Sequence, residues 1–175
     1  MSAQVGSMAP NFHGQAITPD GNFANIKLSD YKGKWAVMFF YPEDFTFVCP
    51  TEIRGFNKQH HEFTAANAEV IGISTDSIHS HQAWIRSDLG KLKFPLLSDI
   101  TKRISRDYGV LLEDKGIALR GTFIVDPEGK LRSATVNDTD VGRNVNETIR
   151  TLKALQTGEL TPCDWSPGDN TLGKA

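Results

Sequence analysis

The feature that most constrains this chain is an unbroken apolar run, Trp35-Ala36-Val37-Met38-Phe39-Phe40-Tyr41, closed by Pro42 and followed after a short loop by Cys49-Pro50. The run is far shorter than the roughly 20 residues a membrane-spanning helix needs. Its length and lack of alternation suit a strand covered on both faces, as in a mainly parallel sheet. Pro50 predicts a helix start, because the N–H that proline lacks would be unpaired at the first helical position. Ile53, Phe56, Phe63 and Ala66 then recur on one helical face, so a helix is expected over 50–66. A buried strand therefore runs into a helix through a cysteine.

The remaining pattern continues the alternation. Residues 1–33 are rich in turn formers and read as an irregular or hairpin-like lead-in. Strand signals follow at 69–75 and 94–97, with helices expected at 77–89 and 101–108. Thr122-Phe123-Ile124-Val125 turns at Asp126-Pro127-Glu128-Gly129 into 131–136 as a hairpin. Asn144 with Glu147 three residues on resembles a capping box. Val145, Ile149, Leu152 and Leu155 give the last helix its apolar stripe, and Gly158 stops it. This order specifies an α/β fold with a central mixed sheet and helices on both faces, which a thioredoxin-like arrangement fits. At 175 residues the chain is expected to be one domain over 1–158 with a polar C-terminal arm over 159–175.

Charge and cysteine usage narrow the function classes. Nineteen Lys and Arg against 21 Asp and Glu leave −2, with no basic excess to grip nucleic acid. Residues 1–10 show neither a charged nor an apolar leader segment, so a cytoplasmic protein is expected, with no membrane partner. Two cysteines, Cys49 and Cys163, cannot build a multi-bridge scaffold and matter, if at all, as thiols.

Cys49 sits where open α/β sheets place their sites, and a helix start favours a thiolate over a thiol. The ordinary fate of a free cysteine is burial as a small apolar residue, and position leaves the two readings balanced. Cys49-Pro50-Thr51-Glu52 carries a carboxylate where a Cys-x-x-Cys enzyme has its second thiol, so no local disulfide can close. Thr46, three residues earlier, is near enough for a turn to bring its hydroxyl toward the sulfur. Taken singly, Thr46 is a loop hydroxyl bonded to backbone and Glu52 a carboxylate in a first helical turn.

Tyr41-Pro42-Glu43-Asp44-Phe45-Thr46-Phe47-Val48-Cys49-Pro50-Thr51-Glu52 resembles the active-site segment of the peroxiredoxins, with its Pro-x-x-x-Thr-x-x-Cys pattern intact. It is most similar to the typical two-cysteine branch, of alkyl hydroperoxide reductase C type. Phe94 to Asp99, Arg120 to Pro127, Val141 to Val145 and the stretch around Trp165 fall in family order, so the resemblance spans essentially the whole chain. It implies a thiol-dependent peroxidase acting on hydrogen peroxide and organic hydroperoxides through a sulfenic acid and a disulfide. Cys49 would be the peroxidatic nucleophile, Thr46 would hold the peroxide, and Pro42 would shield the sulfur. Arg120 would stabilise the thiolate and the breaking O–O bond, Glu52 and Arg143 would hold that charge network, and Cys163 would resolve. Read without the resemblance, Arg120 is a solvated arginine at a strand start.

The resemblance further implies a homodimer, with a ring of dimers as the larger assembly. A thioredoxin-like protein or a dedicated disulfide reductase would be the electron donor. The alternative from another class is an oligomeric holdase chaperone or a redox relay. Three departures stand out. Thr161 occupies the usual place of the resolving cysteine, with Cys163 two residues before Trp165. The family's Gly-Gly-Leu-Gly segment reads Ser87-Asp88-Leu89-Gly90, and ten residues follow Trp165 without a Tyr-Phe tail. His60-His61 and His79-x-His81 lack metal-ligand spacing, Trp84 reads as a core or interface residue, and no phosphate loop or dinucleotide fingerprint occurs. No cofactor is expected.

Overall fold

The computed structural model describes residues 3–175. The apolar run forms β3 (Trp35–Phe40) at the heart of a seven-stranded mixed sheet. The other strands are β1 (His13–Ile17), β2 (Phe23–Lys27), β4 (Ala68–Ser74), β5 (Leu96–Ser98), β8 (Arg120–Val125) and β9 (Leu131–Asn137), in the order β2-β1-β5-β4-β3-β8-β9. β3 pairs parallel to β4 and antiparallel to β8, so it is covered at both edges as well as both faces. The lead-in contains the β1–β2 hairpin.

Side chains alternate across β3 as the pleat requires. Val37 and Phe39, with Tyr41, pack against α1 (Cys49–Lys58), α2 (His60–Ala65), Trp84 of α3 (Ile78–Trp84) and α5 (Val145–Gln156). Ala36, Met38 and Phe40 face Ile104 of α4 (Arg103–Asp107), Tyr108 and the N-terminal segment around Phe12. The expected α/β architecture, a mixed sheet with helices on both faces, is the one observed. Trp84 is a core residue of this chain.

Several elements differ from expectation. The helix expected over 50–66 is two helices that meet at Gln59, whose backbone leaves helical geometry (φ −96°, ψ 11°). Phe56 and Phe63, one on each segment, both reach the core across that break. The segment 78–89 ends in a π-helical turn over Ile85–Leu89, with Gly90 N–H donating to Ile85 O at 2.9 Å. The wider turn goes with a buried Leu89 and a Trp84 indole that donates to Asp88 Oδ2 at 3.2 Å. α4 starts later than expected because Lys102 sits at φ 61°. The buried Asp99 carboxylate instead accepts from the N–H groups of Ile104 and Ser105, at 3.1 and 2.7 Å. A small hairpin of β6 (Leu111–Leu112) and β7 (Ile117–Ala118) was not expected.

α5 begins at Asn144, whose side chain accepts from Glu147 N–H at 3.3 Å. Only this half of the capping box forms, because the Glu147 carboxylate binds Arg150 instead. Gly158 follows the helix at φ 65°. Residues 159–175 fold back on themselves through bonds between Leu160 and Gly173 and between Leu172 and Leu160. The arm docks on α5 by the buried Trp165, whose carbonyl accepts from Arg150 Nη1 at 2.9 Å.

Candidate active site

β3 ends at Phe40, and the loop through Pro42 and Thr46 delivers the chain to Cys49, the first residue of α1. Cys49 is fully buried, and its sulfur lies 3.4 Å from Arg120 Nη1. Arg120 opens β8, which places its guanidinium beside the start of α1. Nε donates to Thr139 O at 2.8 Å, and Nη1 also donates to Glu52 Oε2 at 2.7 Å. An arginine at a strand start, unremarkable in the linear sequence, is 4% exposed here.

Glu52 is one turn into α1 and directs its carboxylate at two guanidiniums. Oε1 accepts from Arg143 N–H at 3.0 Å and Arg143 Nε at 2.9 Å, and Oε2 from Arg120 Nη1 and from Arg143 Nη2 at 3.0 Å. Arg143 is pinned further by the carbonyls of Phe40 and Gly121, at 2.6 and 2.8 Å, and lies over the Phe39 ring. Burial pushes the Glu52 carboxyl up, but the Arg143 hydrogen bonds and the charges of both arginines outweigh it and hold it below its ordinary value. Burial pushes the Arg143 guanidinium down, opposed by Glu52. Two cations thus face one carboxylate in a site closed to water, and a second negative charge would balance it.

Pro42 is buried and Thr46 half-buried. The Thr46 hydroxyl donates to Glu43 O at 3.0 Å and makes no hydrogen bond to the Cys49 sulfur. Its lone pairs stay free to accept from a ligand O–H. Around it, Phe45 lies at φ 58° and Phe47 is 96% exposed.

The structure thus brings Cys49, Arg120, Glu52 and Arg143 into one hydrogen-bonded cluster below the Pro42–Thr46 loop. It leaves Cys163 outside. That thiol is exposed on the arm, in a groove lined by Arg132, Arg150, Ala154 and Leu155, and both cysteines are free. Among the described residues, no set of His, Cys, Asp or Glu can hold a metal, and no helix is long and apolar enough to cross a membrane. A contact that sequence reasoning missed joins Asp44 of the loop to His81 of α3 at 2.7 Å. The two lie 37 positions apart, and no linear pattern links them.

The family model described as the AhpC/TSA family matches residues 5–134. The chain belongs to that family, the peroxiredoxins. It is 51% identical to Peroxiredoxin-1 of Gekko japonicus over 180 residues, covering 98% of this chain and 90% of that one. To the chloroplastic 2-Cys peroxiredoxin BAS1 of Hordeum vulgare it is 50% identical, covering 96% of this chain and 84% of the relative. The crystal structure of reduced Plasmodium vivax 2-Cys peroxiredoxin superposes with a TM-score of 0.93 at 38% identity, covering 95% of this chain and 91% of that one. Enterococcus faecalis AhpC gives a TM-score of 0.86 at 38% identity, with 90% and 95% covered. As a peroxiredoxin this chain is an enzyme, a thiol-dependent peroxidase, and its α/β sheet is the thioredoxin fold of those neighbours.

Proposed function

We propose that residues 1–158 form a peroxidase domain that reduces hydrogen peroxide and small organic hydroperoxides at Cys49. The observation that carries this reading is the 3.4 Å approach of Arg120 Nη1 to the sulfur, made by a guanidinium already fixed on Glu52 and Thr139. The Cys49 thiolate attacks one peroxide oxygen, the S–O bond forms as the O–O bond breaks, and the other oxygen leaves as alkoxide or hydroxide. That leaving oxygen takes a proton to become alcohol or water, and Cys49 is left as sulfenic acid.

Charge moves from sulfur to the leaving oxygen, so fixed donors beside both lower the barrier without reorganising. Arg120 supplies them. Glu52 and Arg143 keep Arg120 from swinging away, Thr46 accepts the peroxide O–H, and Pro42 keeps bulk water off the sulfur.

Residues 159–175 act as a resolving arm. The Cys163 thiol attacks the Cys49 sulfenic acid, releasing water and forming a disulfide. Cys49 is buried, so the first turn of α1 must unwind. That turn starts at Val48 without a side-chain cap, and unwinding it breaks the bonds from Thr51 and Glu52 N–H to the Val48 carbonyl, at 3.0 and 3.3 Å. A thioredoxin-like protein or a dedicated disulfide reductase then restores both thiols. The enzyme works as a cytoplasmic homodimer, or a ring of dimers, with the disulfide crossing between chains. Peroxide consumption with a dithiol donor, lost on Cys49→Ser, tests this reading. Protection of an unfolding client that survives Cys49→Ser, with no peroxide turnover in the native chain, would contradict it and indicate a holdase.

A further inference from the structure

Behind the loop joining β3 to α1 lies a second buried set of titratable groups. His81 of α3 is fully buried, with Nδ1 2.7 Å from Asp44 Oδ2 and Nε2 3.2 Å from Leu97 O. Carboxylate and carbonyl oxygens only accept, so both contacts are hydrogen bonds only when each ring nitrogen carries a proton. Tyr41 OH approaches Nδ1 at 3.4 Å but gives its own proton to Asp44 Oδ1 at 2.8 Å. Ser80 Oγ donates to Asp44 Oδ2 at 2.8 Å, and Asp44 N–H donates to Asp76 Oδ2 at 3.0 Å. The groups facing His81 are therefore Tyr41 after β3, Asp44 in the loop, Asp76 between β4 and α3, and the Leu97 carbonyl of β5.

Asp44 stands between Pro42 and Thr46, and the next residue, Phe45, holds a left-handed backbone. A non-glycine residue stays there only when its surroundings over-determine it. The bonds to Asp44 do so from the side of α3, and the Phe45 ring packs on Trp84 of the same helix with centroids 5.7 Å apart.

We infer that His81 is a positioning residue for peroxide cleavage: its Nδ1–H clamps Asp44, and through Asp44 it fixes Thr46 over Cys49. The inference rests on the roles proposed above for Cys49 and Thr46. His81 itself touches neither peroxide nor sulfur. Its effect is to hold the Thr46 hydroxyl within bonding reach of the substrate, where a displacement of about 1 Å costs on the order of 10²-fold in rate.

The test compares two reactions of Cys49 in His81→Leu, each in a single turnover: oxidation by hydrogen peroxide and alkylation by iodoacetamide. Alkylation needs no peroxide-holding hydroxyl. The expected result is a loss of about 10²-fold in the peroxide rate constant with alkylation unchanged. In a Thr46→Val background, the same His81→Leu change should cost far less, since its route through Thr46 is gone. Equal losses in both reactions, or no loss in either, would overturn the inference. Nitrogen-15 spectra of the native protein cover the case in which His81→Leu does not fold. A proton on His81 Nδ1, bonded to Asp44, is expected, and a ring protonated on Nε2 alone would overturn the clamp. If Thr46→Val keeps the full peroxide rate, the site reading fails; if Thr46→Val is slow while His81→Leu is fast, only this inference fails.

Discussion

Replacing Arg120 with alanine should separate chemistry from stability, because the fold has compensations for the loss and the reaction has none. The change deletes the 3.4 Å contact to the Cys49 sulfur, the 2.7 Å bond to Glu52 and the 2.8 Å bond to the Thr139 carbonyl. Glu52 keeps three bonds from Arg143, at 2.9 and twice at 3.0 Å, so the buried pair left behind is neutral and satisfied. The fold then loses two charge-assisted bonds, about 1.5–3 kcal/mol each, offset by the desolvation that a buried guanidinium no longer incurs. The reaction loses a donor aimed at the breaking O–O bond, which costs about 10²–10³ in rate, or about 2.7–4 kcal/mol. Stopped-flow fluorescence can follow peroxide oxidation, since Trp84 packs against Phe45 of the loop. Urea unfolding of the same protein supplies the stability. Arg120→Ala that folds and reacts within about tenfold of the native rate would refute the reasoning, since the guanidinium would then serve only to bridge Glu52 and Thr139. Glu52→Ala is the informative contrast. It leaves two buried guanidiniums without their carboxylate, so it should cost about 3–5 kcal/mol of stability as well as rate.

Glu52 also sets an acid limit. Its carboxyl is held below the ordinary 4.5, so the unfolded chain binds its proton first. The stability it contributes is complete above about pH 4.5 and is lost as pH falls through the lower folded value. Urea unfolding between pH 6 and pH 3 should show a shallower acid slope in Glu52→Gln, and parallel slopes would contradict this. Gly72→Ala should destabilise by about 1–3 kcal/mol in thermal unfolding. A Cβ there would meet Leu96 Cδ2 at 2.6 Å and Phe39 Cζ at 2.9 Å, and an unchanged melting temperature would show that β4 can shift. Peroxide should convert the 19.3 kDa chain to a species of twice that mass on a non-reducing gel, and Cys163→Ser should abolish the band. A monomer band with no free thiols would instead show a disulfide within one chain.

The parts of the fold legible in the sequence are those that local pattern decides. The run 35–41 announced a strand buried on both faces, and Pro50 with the spacing of Ile53 and Phe56 announced the helix behind Cys49. What the sequence hid was decided by tertiary contacts. No glycine or proline marks the break at Gln59, which lies between two phenylalanines that both reach the core. The π-helical turn over 85–89 accompanies a buried Trp84 and Leu89, and β6 and β7 are too short to leave a period. In the site, Cys49 and Thr46 share a loop and could be read together. Arg120 and Arg143 come from distant segments and gain meaning only through the Glu52 carboxylate that joins them. His81 looked like half of a poor metal motif. Its partner is a loop aspartate, brought beside it by the packing of α3 against the start of the loop.

The central claim is that the Cys49 sulfur performs the peroxide chemistry, and one trapping measurement tests it most directly. Cys163→Ser would be treated with one equivalent of hydrogen peroxide in the presence of dimedone, which captures sulfenic acids, and the adduct located by peptide mass spectrometry. The account predicts stoichiometric labelling at Cys49, falling steeply in Arg120→Ala at equal reaction time. Rapid peroxide loss with no adduct at Cys49, or full labelling in Arg120→Ala at the native rate, would contradict it.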